Sequence, residues 1–132
     1  MKTTTIQQTV VIPTATPEEV YDALLDSKTH TALTGSSAKI SAKIGGAFTA
    51  WDGYISGKNL ELERGRRIVQ EWVTTGWPKN ASPSRVTINL RPIKQGTEIS
   101  LLQENVPAKD ATACDQGWHD YYWKPMVRFF QK

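Results

Sequence analysis

The chain is short of the residues on which most site chemistry depends. Cys114 is its one cysteine, so no disulfide can form within it. A reducing, cytoplasmic setting is the expectation that follows. The two histidines, His30 and His119, have no partner at metal-ligand spacing. No metal and no cofactor is expected. There is no glycine-rich phosphate loop, no G-x-S-x-G and no dinucleotide fingerprint. No apolar run approaches the roughly 18 residues that a bilayer-spanning helix requires. Residues 1–14 carry a single lysine and only the short run Val10–Val11–Ile12, unlike a secretory leader. Charge of one sign is also missing: 16 basic residues face 13 acidic ones, for a net charge of +3. The basic residues are scattered apart from Arg64, Arg66 and Arg67, where a nucleic-acid footprint would be denser. Neither nucleic acid nor membrane is expected as a partner.

What remains is a folding composition. The 132 residues are 39% hydrophobic and 22% charged, enough for one domain over 1–132 with a real core. Thr3 to Ile12 reads as a strand with Ile6, Gln8, Val10 and Ile12 on one face. Thr16-Pro17-Glu18-Glu19 starts a helix: Thr16 caps it, Pro17 takes the first position and acids fill the first turn. Val20, Tyr21, Leu24 and Leu25 form its buried stripe. A second short helix follows from about Lys28 to Leu33, ending before Gly35. From Ser36 short strands take over: Ala38 to Ala42, Ala47 to Trp51, Tyr54 to Leu62, Arg67 to Thr75, Arg85 to Arg91 and Thr97 to Glu104. Asp52-Gly53 marks a hairpin, Gly57 to Asn59 a bulge, and Gly76 to Pro83 a loop. Consecutive short strands with tight turns imply an antiparallel meander.

Asp110 to Lys132 reads as one long amphipathic helix. A uniform 100° wheel puts Cys114, Trp118, Tyr121, Tyr122, Pro125 and Phe129 on one arc. Asp110 and Thr112 are its candidate N-caps, and Arg128 and Lys132 suit the C-terminal end of its dipole. Gly117 implies close approach to another backbone. Pro125 implies a kink that frees the carbonyl of Tyr121, or a break at Lys124. The fold expected is α+β: a curved antiparallel sheet of six or seven strands wrapped around the C-terminal helix, with two short helices after the first strand.

The run Thr16-Pro17-Glu18-Glu19-Val20-Tyr21 carries a resemblance. So do Gly45-Gly46-Ala47-Phe48, Asp52-Gly53-Tyr54-Ile55-Ser56-Gly57, Leu60-Glu61-Leu62 with Ile68-Val69-Gln70-Glu71-Trp72, and Gly117-Trp118 with Tyr121 and Tyr122. In this order they resemble the domain named after the activator of heat shock protein 90 ATPase, in the START-like (SRPBCC) helix-grip superfamily. The resemblance implies the helix-grip fold and a co-chaperone-like role. The full co-chaperone of that family has a further N-terminal domain, for which this chain is expected to have no room.

Candidate site residues follow from the inward faces. A cavity between sheet and helix is expected, walled by Phe48, Gln70, Trp72, Val86, Ile88, Leu101, Gln103, Trp118 and Tyr122. Trp51, Trp72, Trp77 and Trp118 read as core or cavity wall. Gln8, Gln70 and Gln103 are amides of inward parity that need hydrogen-bond partners, either water or a ligand's polar atoms, unless a register shift at a bulge puts one or more outside; Gln70 and Gln103 are the expected ligand contacts. Openings are expected at Pro125 and at the Gly76 to Pro83 loop. Arg64, Arg66 and Arg67 read as solvated hairpin charge or, more sharply, as the candidate patch for an acidic partner, heat shock protein 90 by resemblance. The leading reading is non-catalytic binding of an apolar small molecule, with protein binding second and a cyclase or hydrolase of this fold third. No catalytic residue is assigned; His119, beside Asp120, is the base an enzyme reading would use.

Overall fold

The computed structural model describes residues 2–131. The elements run β1 (Thr3–Pro13), α1 (Pro17–Leu25), α2 (Ser27–Thr34), β2 (Lys39–Ile40), β3 (Ala47–Ala50), β4 (Ile55–Glu63), β5 (Arg67–Thr74), β6 (Ser84–Ile93) and β7 (Gly96–Pro107). A 3₁₀ turn (Ala108–Asp110) leads into α3 (Ala111–Trp118), a π-helical turn (His119–Trp123) and α4 (Lys124–Phe129). Helical dihedrals persist at Trp118, Trp123 and Lys124, so the last three elements form one continuous C-terminal helix.

The seven strands form one antiparallel sheet in the order β1-β7-β6-β5-β4-β3-β2. It is a meander, with β1 added beside the last strand. The sheet curves around the C-terminal helix, which is the helix-grip architecture. Bulges fall between Thr4 and Ile6 in β1 and between Asn59 and Glu61 in β4. The second lies just beyond the Gly57–Asn59 position expected from the sequence. Inward strand positions alternate as the pattern required: Ile6, Gln8 and Ile12, then Ile68, Gln70 and Trp72, then Val86, Ile88 and Leu90 are all buried.

The first helix forms for the expected reason. Thr16 Oγ1 accepts from the Glu19 amide and Glu19 Oε1 accepts from the Thr16 amide, a capping box that satisfies two orphan donors. Val20, Tyr21, Leu24 and Leu25 are buried beneath it. The second helix ends on Gly35 at φ 76°, the left-handed position that glycine takes without steric cost.

The C-terminal helix departs from the uniform wheel. The Lys124 amide donates to the His119 carbonyl, five residues back. This wider turn lies directly before Pro125, which has no amide to give and whose ring would crowd the carbonyl four residues earlier. The helix therefore neither breaks at Lys124 nor continues as a kinked α-helix; it absorbs proline in a π turn. One extra residue in a turn rotates everything after it by about 100°. Trp123, Met126 and Phe130 become core residues, at 3%, 0% and 8% exposure, while Tyr121 and Phe129 of the expected stripe emerge at 57% and 43%. Lys132 lies outside the described residues.

Candidate functional site

Two features of the fold open a space at one end of the sheet–helix interface. The first is the β3–β4 turn. Trp51, Asp52 and Gly53 all have positive φ, at 53°, 56° and 89°. Tryptophan is costly in that region, and such strain gathers at functional positions. The conformation sets the Trp51 ring edge-on to Tyr121 at 5.4 Å and to Tyr122 at 6.3 Å. The second is Gly117. A Cβ there would meet the Tyr121 ring at 3.6 Å and no other backbone. The expectation of close backbone approach is thus corrected: the missing side chain leaves open volume.

The result is a cavity of about 610 Å³, within the range of small-molecule sites. Its wall is aromatic: Trp51, Tyr54, Trp72, Trp77, Trp118, Tyr121 and Tyr122. Trp72 tilts against Trp77 and stacks on Trp118, each at 5.6 Å. Tyr54 and Tyr121 are exposed and form the rim. Asp110, Thr74 and Cys114 add the polar atoms. Burial, then the negative charges of Asp115 and Asp110, push the Cys114 thiol up to about 12, which disfavours the thiolate at neutral pH.

Of the nine expected wall residues, Trp72, Trp118 and Tyr122 line this cavity. Phe48, Gln70 and Ile88 line a separate void of about 20 Å³, also bordered by His30 and Tyr122. Val86, Leu101 and Gln103 line neither and are packed in the core, at 0%, 2% and 0% exposure. Gly76 and Trp77, of one of the two segments expected at an opening, are on the cavity wall, and Pro125 is not.

The inward amides have protein partners. Gln103 Oε1 accepts from Trp118 Nε1 at 2.8 Å and from the Cys114 thiol at 3.5 Å, while its Nε2 donates to Ser84 Oγ at 3.0 Å. Gln8 Oε1 accepts from Trp123 Nε1 at 2.7 Å, and its Nε2 donates to the carbonyl and carboxylate of Asp115. Gln70 Nε2 donates to Asn59 Oδ1 at 2.9 Å. Two of the three amides staple the sheet to indoles of the C-terminal helix.

Each guanidinium of the arginine cluster is paired within the chain: Arg64 with Asp22 at 2.8 Å, Arg66 with Glu63 at 3.1 Å and Arg67 with Glu61 at 3.7 Å. All are exposed pairs, screened by solvent. His119 is half-buried on the π turn, outside the cavity wall. The other histidine carries the less expected arrangement. His30, 3% exposed, lies 3.1 Å through Nε2 from Tyr122 Oη. Burial holds its pKa down at about 4, and burial raises the Tyr122 phenol, with the Trp51 side chain pulling the other way. The two residues are 92 apart in sequence, and no local pattern signalled the pair. Among the described residues no cluster of ligating side chains suits a metal ion, and no helix is long and apolar enough to cross a membrane.

A family model described as "Activator of Hsp90 ATPase homolog 1-like protein" matches residues 14–131. The chain belongs to this family. Among relatives of the activator family, the human "Activator of 90 kDa heat shock protein ATPase homolog 1" is 31% identical over 86% of this chain and 33% of its own length. The chain spans about a third of the length of the curated relatives it matches. A crystal structure described as an HSP90 activator from Plasmodium falciparum superposes with a TM-score of 0.84 at 27% identity, covering 95% of this chain and 94% of that one. A crystal structure from Chromobacterium violaceum gives 0.77 at 29% identity, covering 97% and 98%.

Proposed function

We propose that this domain binds an apolar small molecule, without chemical conversion, in the cavity between the β3–β4 turn, β5 and the C-terminal helix. The cavity itself carries the reading: about 610 Å³ walled by seven aromatic rings with few polar atoms. Close packing is the rule in protein interiors, and an aromatic cluster that encloses volume instead is the usual form of a small-molecule site. Nile red, a neutral probe, should bind the native protein at one saturable site and quench tryptophan emission. Gly117→Leu, whose side chain would occupy the cavity, should abolish that binding without unfolding the domain. Binding unchanged in Gly117→Leu, or absent from the parent protein, would refute the reading.

A second reading is supported by the relatives. The human protein is described as an activator of the 90 kDa heat shock protein ATPase and the Plasmodium falciparum protein as an HSP90 activator. On that basis the domain would dock on heat shock protein 90, with Arg64, Arg66 and Arg67 as the candidate patch. Their pairing with Asp22, Glu63 and Glu61 means that docking would exchange internal ion pairs for intermolecular ones. Charge reversal at Arg66 should then weaken association and steepen no thermal transition. Failure to bind the chaperone at high micromolar concentration would remove this reading.

A further inference from the structure

The cavity's electrostatics go further than its shape. Among the described residues Asp110 is the only ionisable group of formal charge on its wall, and neither Lys, Arg nor His contributes to it. Its carboxylate is not used where an aspartate at a helix start usually is. The 3₁₀ turn Ala108–Asp110 brings the chain into α3 already helical: Asp110 has φ −100° and ψ −5°, and the Ala111 amide bonds back to the Ala108 carbonyl. No side-chain cap forms, and Asp110 Oδ2 is buried with no hydrogen-bond partner among the described residues. The same holds for Thr74 Oγ1, on a side chain 9% exposed. Thr74 Oγ1 and Tyr54 Oη converge on one corner of the cavity, since a Cβ built on Gly76 would lie 3.7 Å from the first and 3.3 Å from the second.

Two buried polar atoms left unpartnered on residues of an aromatic chamber's wall are costly. One is an acceptor on a carboxylate, and the surrounding rings present the negative faces of their quadrupoles. Both features favour positive charge and oppose negative charge.

From this arrangement, and resting on the small-molecule reading above, we infer that the ligand is an organic ammonium: a protonated amine on an apolar, aromatic-sized skeleton. Its charged head sits on the side of the cavity lined by Asp110 and Thr74, and its skeleton stacks among Trp51, Trp77 and Tyr121.

The test uses three probes that share one ring system: naphthylmethylammonium, its neutral isostere ethylnaphthalene, and the anion naphthylacetate. Each is titrated into the full chain and followed by tryptophan emission. The ammonium should bind about tenfold or more tightly than ethylnaphthalene, as a hydrogen bond to a charged group implies, and naphthylacetate should bind weakest. Asp110→Asn keeps a side chain that suits the helix start equally well and should bring the ammonium down to the level of the neutral probe. Thr74→Val should narrow the same gap in part. Equal binding of ammonium and ethylnaphthalene, or an advantage that survives Asp110→Asn, would overturn the inference while leaving the cavity reading intact. Binding of none of the three would overturn both.

Discussion

Replacing Gln103 with leucine separates a ligand contact from a structural staple. If the amide oriented a ligand, its removal would change selectivity and leave stability nearly untouched. The structure gives it three partners and no exposure. In Gln103→Leu the buried Trp118 indole N–H loses its acceptor, which costs about 1–3 kcal/mol. Ser84 Oγ loses a donor to it but still donates to the Trp72 carbonyl at 2.6 Å, so its loss is smaller, and the Cys114 thiol is a weak donor. Leucine is close in volume and returns part of the loss as apolar burial. The net expectation is destabilisation of about 2 kcal/mol in urea unfolding. Trp118→Phe removes the other partner, so the double variant Gln103→Leu/Trp118→Phe should be less destabilised than the sum of the singles by about 1 kcal/mol. A loss below about 0.5 kcal/mol with additive singles would show that the bond from the indole to the amide does not hold the helix to the sheet.

Other perturbations test other parts of the account. Trp118→Ala should destabilise by about 3–5 kcal/mol, because its 4% exposed indole stacks on Trp72 and Trp123; a loss under about 1 kcal/mol in denaturant melts would contradict the gripped helix. Gly117→Ala should raise stability by about 0.5–1 kcal/mol, since the new methyl meets only the Tyr121 ring at ordinary contact distance; a loss would mean that glycine is needed for packing. Tyr121→Ala, at an exposed rim position, should leave the melting temperature nearly unchanged and weaken probe binding. His30 makes stability fall with acid. Its folded pKa of about 4 lies below the ordinary 6.5, so the unfolded chain binds the extra proton between those values. The stability His30 leaves intact above 6.5 is lost as pH falls towards 4, by about 3 kcal/mol in all. His30→Gln should flatten that part of the stability–pH curve, and an unchanged slope would show that His30 does not titrate as a buried neutral group.

The parts of the molecule legible in the sequence are those set by local patterning. Thr16, Pro17 and Glu19 define the first helix start because capping depends on neighbours within one turn. The strands follow from alternation, and their order from tight turns such as Asp52-Gly53. The tryptophans read as core or wall, Trp51, Trp72, Trp77 and Trp118, line the cavity. Other expected wall positions, among them Val86, Leu101 and Gln103, do not. A uniform helical wheel cannot contain a π turn, so Trp123 and Met126 were hidden from the buried face and Tyr121 was credited to it. Inward parity identified Gln8 and Gln103 as buried amides, but whether an amide meets a ligand or an indole depends on helix phase and docking. Asp110 read as an N-cap by residue type; only the preceding 3₁₀ turn shows that its carboxylate is free of that duty.

The central claim is that a small molecule is held within the aromatic cavity, and the five indoles of the chain report on it directly. Their Nε1–H signals are resolved in a proton–nitrogen correlation spectrum recorded during titration with naphthylmethylammonium. The signals of Trp51, Trp72 and Trp77, whose rings wall the cavity, should shift together and saturate at one equivalent. Trp123, held by Gln8 behind Trp118 and off the cavity wall, should stay in place. Shifts that fail to saturate, or that move Trp123 as far as Trp51, would contradict a ligand held in that space.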